Sequence, residues 1–231
     1  RLHDEAGRII LPDSFIPAAE RYGLMTSLDR WVVENVFKII ARCMHERPGR
    51  PMAMCAINLS GITIGDDAFL HFLREQFVNY AIPPEMICFE ITETSAISNL
   101  GSAIRFINEL KGLGCYFSLD DFCAGMSSFA YLKHLPVDFL KIDGSFVKDM
   151  LDDPINRAMV EVINHIGHVM GKQTIAEFVE TTQIEQALLE IGVDYAQGYV
   201  IERPQLFTCN SLQSRPARPQ PLLFKAPGTF R

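Results

Sequence analysis

Six short apolar runs, each closing on polar or charged residues, alternate with longer segments of helical periodicity between Met52 and Val200. That alternation constrains the fold more than any other feature. Strands separated by crossover helices pair in parallel and build an α/β sheet or barrel. The pattern predicts strands over residues 52–59, 86–92, 116–121, 139–143, 174–179 and 194–200. Helices are expected over 67–80, 101–112, 127–134, 156–171 and 183–192, several of them closing on glycine. Two more helices, over 13–22 and 27–46, precede the rhythm, the first signalled by Pro12 and Asp13. The segment 211–231 is rich in proline and arginine without periodicity, and is expected to be an irregular or disordered extension of a domain spanning 1–210.

A chain of 231 residues, 48% of them hydrophobic, suffices for one large core. Its formal charge of −7 argues against binding long nucleic acids through their phosphate backbone, while leaving room for a small nucleotide held through metal ions. The six cysteines, Cys43, Cys55, Cys88, Cys115, Cys123 and Cys209, sit in mostly apolar contexts with no C-x-x-C spacing. Reduced, buried thiols in a cytoplasmic protein are therefore expected, rather than a zinc site or a disulfide frame. Neither a membrane-spanning run nor a signal segment is evident, although the cytosolic part of a membrane-anchored protein would read the same way.

The chemistry gathers at the carboxyl ends of the expected strands: Asn58, Glu90 with Glu93, Asp120 with Asp121, Lys141 with Asp143, Glu177, and Gln197. In a parallel barrel all these ends open on one face, where such barrels keep their active sites. Carboxylates crowded there repel one another, and oxygen ligands of this kind suit Mg²⁺ or Mn²⁺. Neighbouring strand residues point to opposite faces, so Asp120 and Asp121 share a site only where the strand turns into a loop. One carboxylate then bridges two metals about 3.5–4 Å apart, the clamp used for in-line attack on phosphodiesters. Lys141 adds a point charge near the nucleophile or a phosphate oxygen.

Each residue also has a plainer reading. Asp143, before Gly144 and Ser145, reads alone as a helix cap. Asn58 reads as a turn former, Glu180 as a solvated first-turn carboxylate, and Lys141 as a snorkelling strand-end lysine. His165 and His168 have a spacing compatible with metal but no carboxylate strand end beside them, and are taken as helix-packing residues. The functional case rests on the set, since separate plain explanations at six successive strand ends are jointly improbable.

The strings Ile57-Asn58-Leu59-Ser60, Phe89-Glu90-Ile91-Thr92-Glu93-Thr94, Leu119-Asp120-Asp121-Phe122, Leu140-Lys141-Ile142-Asp143, Ala176-Glu177-Phe178-Val179-Glu180 and Gln197-Gly198-Tyr199 resemble, in order and spacing, the motifs of the EAL phosphodiesterase family. The resemblance runs from about Ile10 to Pro204. It implies a modified TIM-type (β/α)8 barrel and hydrolysis of one phosphodiester bond of cyclic di-GMP to linear pGpG, with two Mg²⁺ or Mn²⁺ ions. By the same resemblance Asn58, Glu90 and Asp120 are ligands of one metal, and Asp120, Asp121 and Glu177 serve the second metal and its water. Lys141 contacts that water, and Glu177 doubles as general base. Glu93 braces the loop after Asp121 and couples the metal site to a dimer interface, while Gln197 and Asp143 support the pocket. A homodimer and an upstream sensory or GGDEF-type domain are the implied partners.

The family's first strand, with the glutamate of its signature, is expected to precede residue 1, and Arg1 corresponds to the arginine ending that motif. The chain as it stands is accordingly expected to be inactive. Cys123 stands where relatives commonly carry glycine, so a positive φ is expected there, with strain. Phe178 also occupies a position that is often glycine. The altered loop keeps a second reading open, a non-catalytic cyclic-di-GMP receptor. A third, an unrelated metal-dependent lyase on the same barrel, lacks the expected glycine-rich phosphate loop after the late strands.

Overall fold

The computed structural model describes residues 2–3, 5–49, 52–124, 130–209 and 222–223. A two-stranded antiparallel ribbon, β1 (Leu2–His3) and β2 (Ile9–Ile10), leads into α1 (Pro12–Arg21) and α2 (Met25–Glu46). From there β3 (Cys55–Asn58), α3 (Asp67–Tyr80), β4 (Ile87–Thr92), α4 (Glu93–Ser98), α5 (Leu100–Lys111) and β5 (Tyr116–Phe122) follow in sequence. The second half runs through β6 (Phe139–Ile142), α6 (Gly144–Lys148), α7 (Pro154–Val169), β7 (Gln173–Ala176), α8 (Thr182–Ile191) and β8 (Tyr195–Ala196). A two-residue strand, β9 (Leu222–Leu223), lies in the tail. Strands β3 to β9 form one parallel sheet in chain order, the open sheet of a partial TIM-type barrel.

Alternation along each strand sorts the side chains into two layers. One set, including Ile87, Phe89, Ile91, Phe117, Leu119, Leu140, Ile142 and Ala176, packs with the helices in the main core. The other, Cys88, Phe139, Ile175 and Tyr195 with Met54 and Ala56 against them, forms a separate small cluster on the inner face. Strands buried on both faces read as continuous apolar runs, which is why β4 and β6 carry so little alternation in sequence. On the inner face the residue type changes along the strands: apolar in this cluster, polar toward the carboxyl ends.

Helix α3 matches its expected range, and the other long helices differ from theirs by a few residues. Except at β5, which runs one residue past its expected end, the expected strands are longer than those formed, most of all 194–200, where only Tyr195–Ala196 pairs as strand. Beyond Ala196 the chain turns, with Val200 and Ile201 bonded back to Val179 and Gly198. Of the expected helix 127–134, residues 127–129 lie outside the described residues and 130–134 form turns. In the tail expected to be irregular, Leu222 and Leu223 pair with Tyr195 and Ala196.

One expectation is overturned. Cys43 and Cys209 form a disulfide, with Cα atoms 5.2 Å apart. The segment after β8 returns across the end of α2, where Arg47 donates to the Cys209 carbonyl. A sequence separation of 166 residues leaves no spacing signal for such a pair. Cys55, Cys88 and Cys115 are free and buried, as expected, and Cys123 is free and half-buried. Burial pushes the Cys115 and Cys123 thiols up to about 12, so both stay protonated near neutral pH.

Candidate metal and active site

Parity on the strands places the polar residues. Asn58 pairs in register with Glu90, Glu90 with Ser118, Ser118 with Phe139, and Lys141 with Ile175. Residues two apart share a face, so Asn58, Glu90, Asp120 and Lys141 all project from the inner face, at or near the carboxyl ends of β3 to β6. Glu177 follows β7 directly, its N–H donating to the Ile142 carbonyl, and Gln197 follows β8, its N–H donating to the Ala176 carbonyl.

Lys141 is the centre of the arrangement and is 2% exposed. Its Nζ lies 2.7 Å from Glu177 Oε1, 2.8 Å from Asp120 Oδ1 and 3.3 Å from Glu90 Oε2, so one ammonium ties β6 to β4, to β5 and to the segment just after β7. Burial alone would lower its pKa, but the three carboxylates reverse that and hold it well above the ordinary lysine value. Burial pushes Glu90 up against the opposing pull of Lys141 and a hydrogen bond from Asn58. Burial likewise raises Glu177 to about 7, with Asp120 and Glu90 adding to it.

Asp121 joins this group through a backbone turn. Its φ of 54° lies in the left-handed region, which Asp tolerates better than most residues, and the pairing of β5 with β6 shifts between Leu119 and Phe122. The turn places an Asp121 oxygen with those of Asp120 and Glu177, all within 4.8 Å of one another, as the break in alternation required. The Asp121 N–H donates to Asp120 Oδ1 at 3.0 Å. Burial, Asp120 and Asp143 all raise the Asp121 pKa.

Glu90, Asp120, Asp121 and Glu177 thus confront one lysine. With all four ionised the site is short of positive charge, and its donors are carboxylate oxygens with the Asn58 amide beside them. The donor set fits a hard divalent cation. It offers neither thiolate nor imidazole.

The supporting residues fall out differently. Glu93, 4% exposed, accepts from the Cys123 N–H at 3.0 Å and from the Tyr131 hydroxyl, which links it to the backbone just after Asp121. Cys123 has the expected positive φ, 67°. Asp143 caps α6 by accepting from the Ser145 N–H at 2.8 Å, its plainer reading, and lies near enough to Asp121 to raise that group's pKa. Gln197 stands at the inner rim through its backbone position. Arg1 lies outside the described residues. Glu180 is exposed, in keeping with a solvated carboxylate, whereas His165 and His168 are exposed rather than buried in helix packing, and His168 pairs with Asp194 at 2.7 Å.

Two contacts escaped the sequence reading. Tyr131 carried no expectation, yet its hydroxyl donates to Glu93. Phe178, beside Glu177, has a φ of 53° and packs so closely on Gly144 that a Cβ there would lie 2.1 Å from its ring. Lys148 Nζ covers the same ring at 4.1 Å from the centroid.

The model of the EAL domain family matches residues 1–204. A cyclic di-GMP phosphodiesterase of Shewanella oneidensis, PdeB, is 39% identical over 220 residues, covering 94% of this chain and 25% of the relative. PdeF of Escherichia coli, also a cyclic di-GMP phosphodiesterase, is 36% identical over 205 residues, covering 89% of this chain and 27% of the relative. The chain therefore spans about a quarter of the length of these curated relatives. Among solved structures, the FimX EAL domain of Pseudomonas aeruginosa bound to c-di-GMP superposes with a TM-score of 0.79 at 32% identity, covering 88% of this chain and 81% of that one.

Proposed function

The chain belongs to the EAL domain family, and from that premise we propose that its domain, residues 1–210, hydrolyses one phosphodiester bond of cyclic di-GMP to linear pGpG. The observation that carries the proposal is the convergence of Glu90, Asp120 and Glu177 on Lys141, with Asp121 turned in beside them. Two Mg²⁺ or Mn²⁺ ions are the proposed cofactors, the first held by Asn58, Glu90 and Asp120, the second by Asp120, Asp121 and Glu177. Metal ions held there would lower the pKa of an attacking water and offset charge on the phosphodiester.

The side chains divide the remaining work. Three carboxylates keep Lys141 protonated, so it cannot act as a base; it donates hydrogen bonds and offers positive charge to an oxygen in the mouth. Glu177, which burial raises to about 7 in the metal-free site, is the proposed general base as well as a proposed ligand. Glu93 and Tyr131 hold the loop that presents Asp121. Asp143 and Gln197 are proposed to support the pocket, and Arg1 to serve the substrate.

Cyclic di-GMP is the proposed ligand, a second copy of the chain the proposed partner, and a cytoplasmic signalling protein with an upstream sensory or GGDEF-type domain the proposed setting. Among the described residues no helix is long and apolar enough to cross a membrane. The test is turnover of cyclic di-GMP by the natural full-length polypeptide with Mn²⁺, with chelator, and after Asp120→Asn. Turnover lost on chelation, restored by metal and abolished by the substitution is expected. Undiminished rates in Asp120→Asn would remove the bridging role. Tight binding without turnover in the unsubstituted protein would favour the receptor reading, for which the positive φ of Cys123 is the motivating feature.

A further inference from the structure

Asp29 lies on α2, outside the carboxylate cluster, and is 5% exposed. A carboxylate so buried needs donors, and Asp29 finds three on a single oxygen. Its Oδ2 accepts from the Ser60 N–H at 3.0 Å, the Ser60 hydroxyl at 2.7 Å and the Thr63 hydroxyl at 2.5 Å. Ser60 and Thr63 belong to the loop that leaves β3, and Ser60 comes two residues after Asn58.

The same loop is held from the other side. Leu59 N–H donates to the Glu90 carbonyl at 2.9 Å. Gly61 rests directly on α4, where a Cβ would lie 2.7 Å from Ser95 Oγ. Ser95 is itself bonded to Thr92, the cap of the helix that begins with Glu93. The loop after Asn58 is thus wedged between α2 and α4, and Asp29 is the charged group on the α2 side.

We propose that Asp29 is a positioning residue: by gripping the Ser60–Thr63 loop it fixes Asn58 at the strand-end site and so sets the affinity of that site for a divalent cation. This rests on the reading of the cluster as a metal centre. A neutral amide is a weak ligand, so Asn58 contributes only if its backbone is held in place beforehand. Glu90 and Asp120 each have an ion pair with Lys141 to orient them, whereas the exposed Asn58 has its strand pairing and its bond to Glu90. The Asp29 bonds supply the rigidity that the Lys141 ammonium supplies to the carboxylates.

The experiment is direct titration of Mn²⁺ into the full-length polypeptide, with free ion counted by electron paramagnetic resonance at a temperature where each variant is folded. Asp29→Ala is expected to raise the apparent Kd of the weaker-held ion about tenfold, the usual scale for outer-shell support of a metal site. Asp29→Asn, which keeps an acceptor, is expected to lose less. Because Asp29 acts through Asn58, Asp29→Ala combined with Asn58→Ala is expected to bind no more weakly than Asn58→Ala alone. Should Asp29→Ala not fold, Ser60→Ala with Thr63→Val removes two of the three donors and is expected to show the same weakening and the same non-additivity. Unchanged affinity in the folded variant, or losses that simply add, overturns the inference. No Mn²⁺ binding by the unsubstituted protein overturns the metal-centre reading itself, a result distinct from either.

Discussion

Lys141 decides how the site behaves without its ions, because three carboxylates depend on one ammonium 2% exposed. Replacing it by methionine leaves those carboxylates facing one another, and metal-free Lys141→Met is expected to lose about 3–5 kcal/mol of unfolding free energy at pH 8. Denaturant titration would check this, and the loss should shrink when Mn²⁺ is added or the pH is lowered. Titration of Glu177 sets a second expectation. Its folded pKa of about 7 exceeds the ordinary carboxylate value of 4.5, so the folded state binds that proton more tightly than the unfolded chain. The contribution is therefore fully present below about pH 4.5 and is lost as the pH rises through about 7, with Glu90 and Asp121 shifted in the same sense. Chelator-treated protein should melt at a lower temperature at pH 8 than at pH 5, and saturating Mn²⁺ should narrow or invert that gap by binding the ionised folded state. At this scale the candidate ligands were legible, since polar residues ending apolar runs have few other reasons to recur. Tyr131 and Asp29 were not, because their importance lies in which distant group they touch.

At the scale of elements, parity explains why scattered residues meet: Asn58, Glu90, Asp120 and Lys141 share the inner face, and only Asp121 needs a turn of the backbone to join them. The two helices missed in the sequence, α4 and α6, have six and five residues, too short to show helical periodicity. Both begin at a strand end on a capping side chain, Thr92 or Asp143, and both carry the loops around the site. Most of the expected strands ran long because polar strand ends and the first residues of the following loops are alike in composition. Packing between the loops after β6 and β7 gives a further prediction. A methyl group in Gly144→Ala would lie 2.1 Å from the Phe178 ring, which must then shift. The substitution is expected to cost about 1–3 kcal/mol and to lower turnover, because Phe178 adjoins Glu177. Unchanged stability and rate would show that the ring moves freely.

For the molecule as a whole, the disulfide is the feature sequence reasoning had backwards. Cys43 and Cys209 are joined across 166 residues, binding the segment after β8 to α2. Closing so long a loop restrains the unfolded chain, and Cys43→Ser or added reductant is expected to lower stability by about 2–4 kcal/mol while leaving Mn²⁺ affinity intact. Thermal melts with and without reductant would check it; identical curves would show that the bond contributes nothing. The α/β class and the order of parallel strands followed from the alternation of runs, whereas the pairing of β9 with β8 did not, because a two-residue strand carries no periodic signal. The central claim, that these strand ends make a cyclic-di-GMP phosphodiesterase, is tested most directly by product analysis after incubating the natural full-length polypeptide with cyclic di-GMP and Mn²⁺ in ¹⁸O-labelled water. The account predicts linear pGpG with one labelled oxygen on its terminal phosphate. Cyclic di-GMP recovered intact from folded, metal-loaded protein would contradict it.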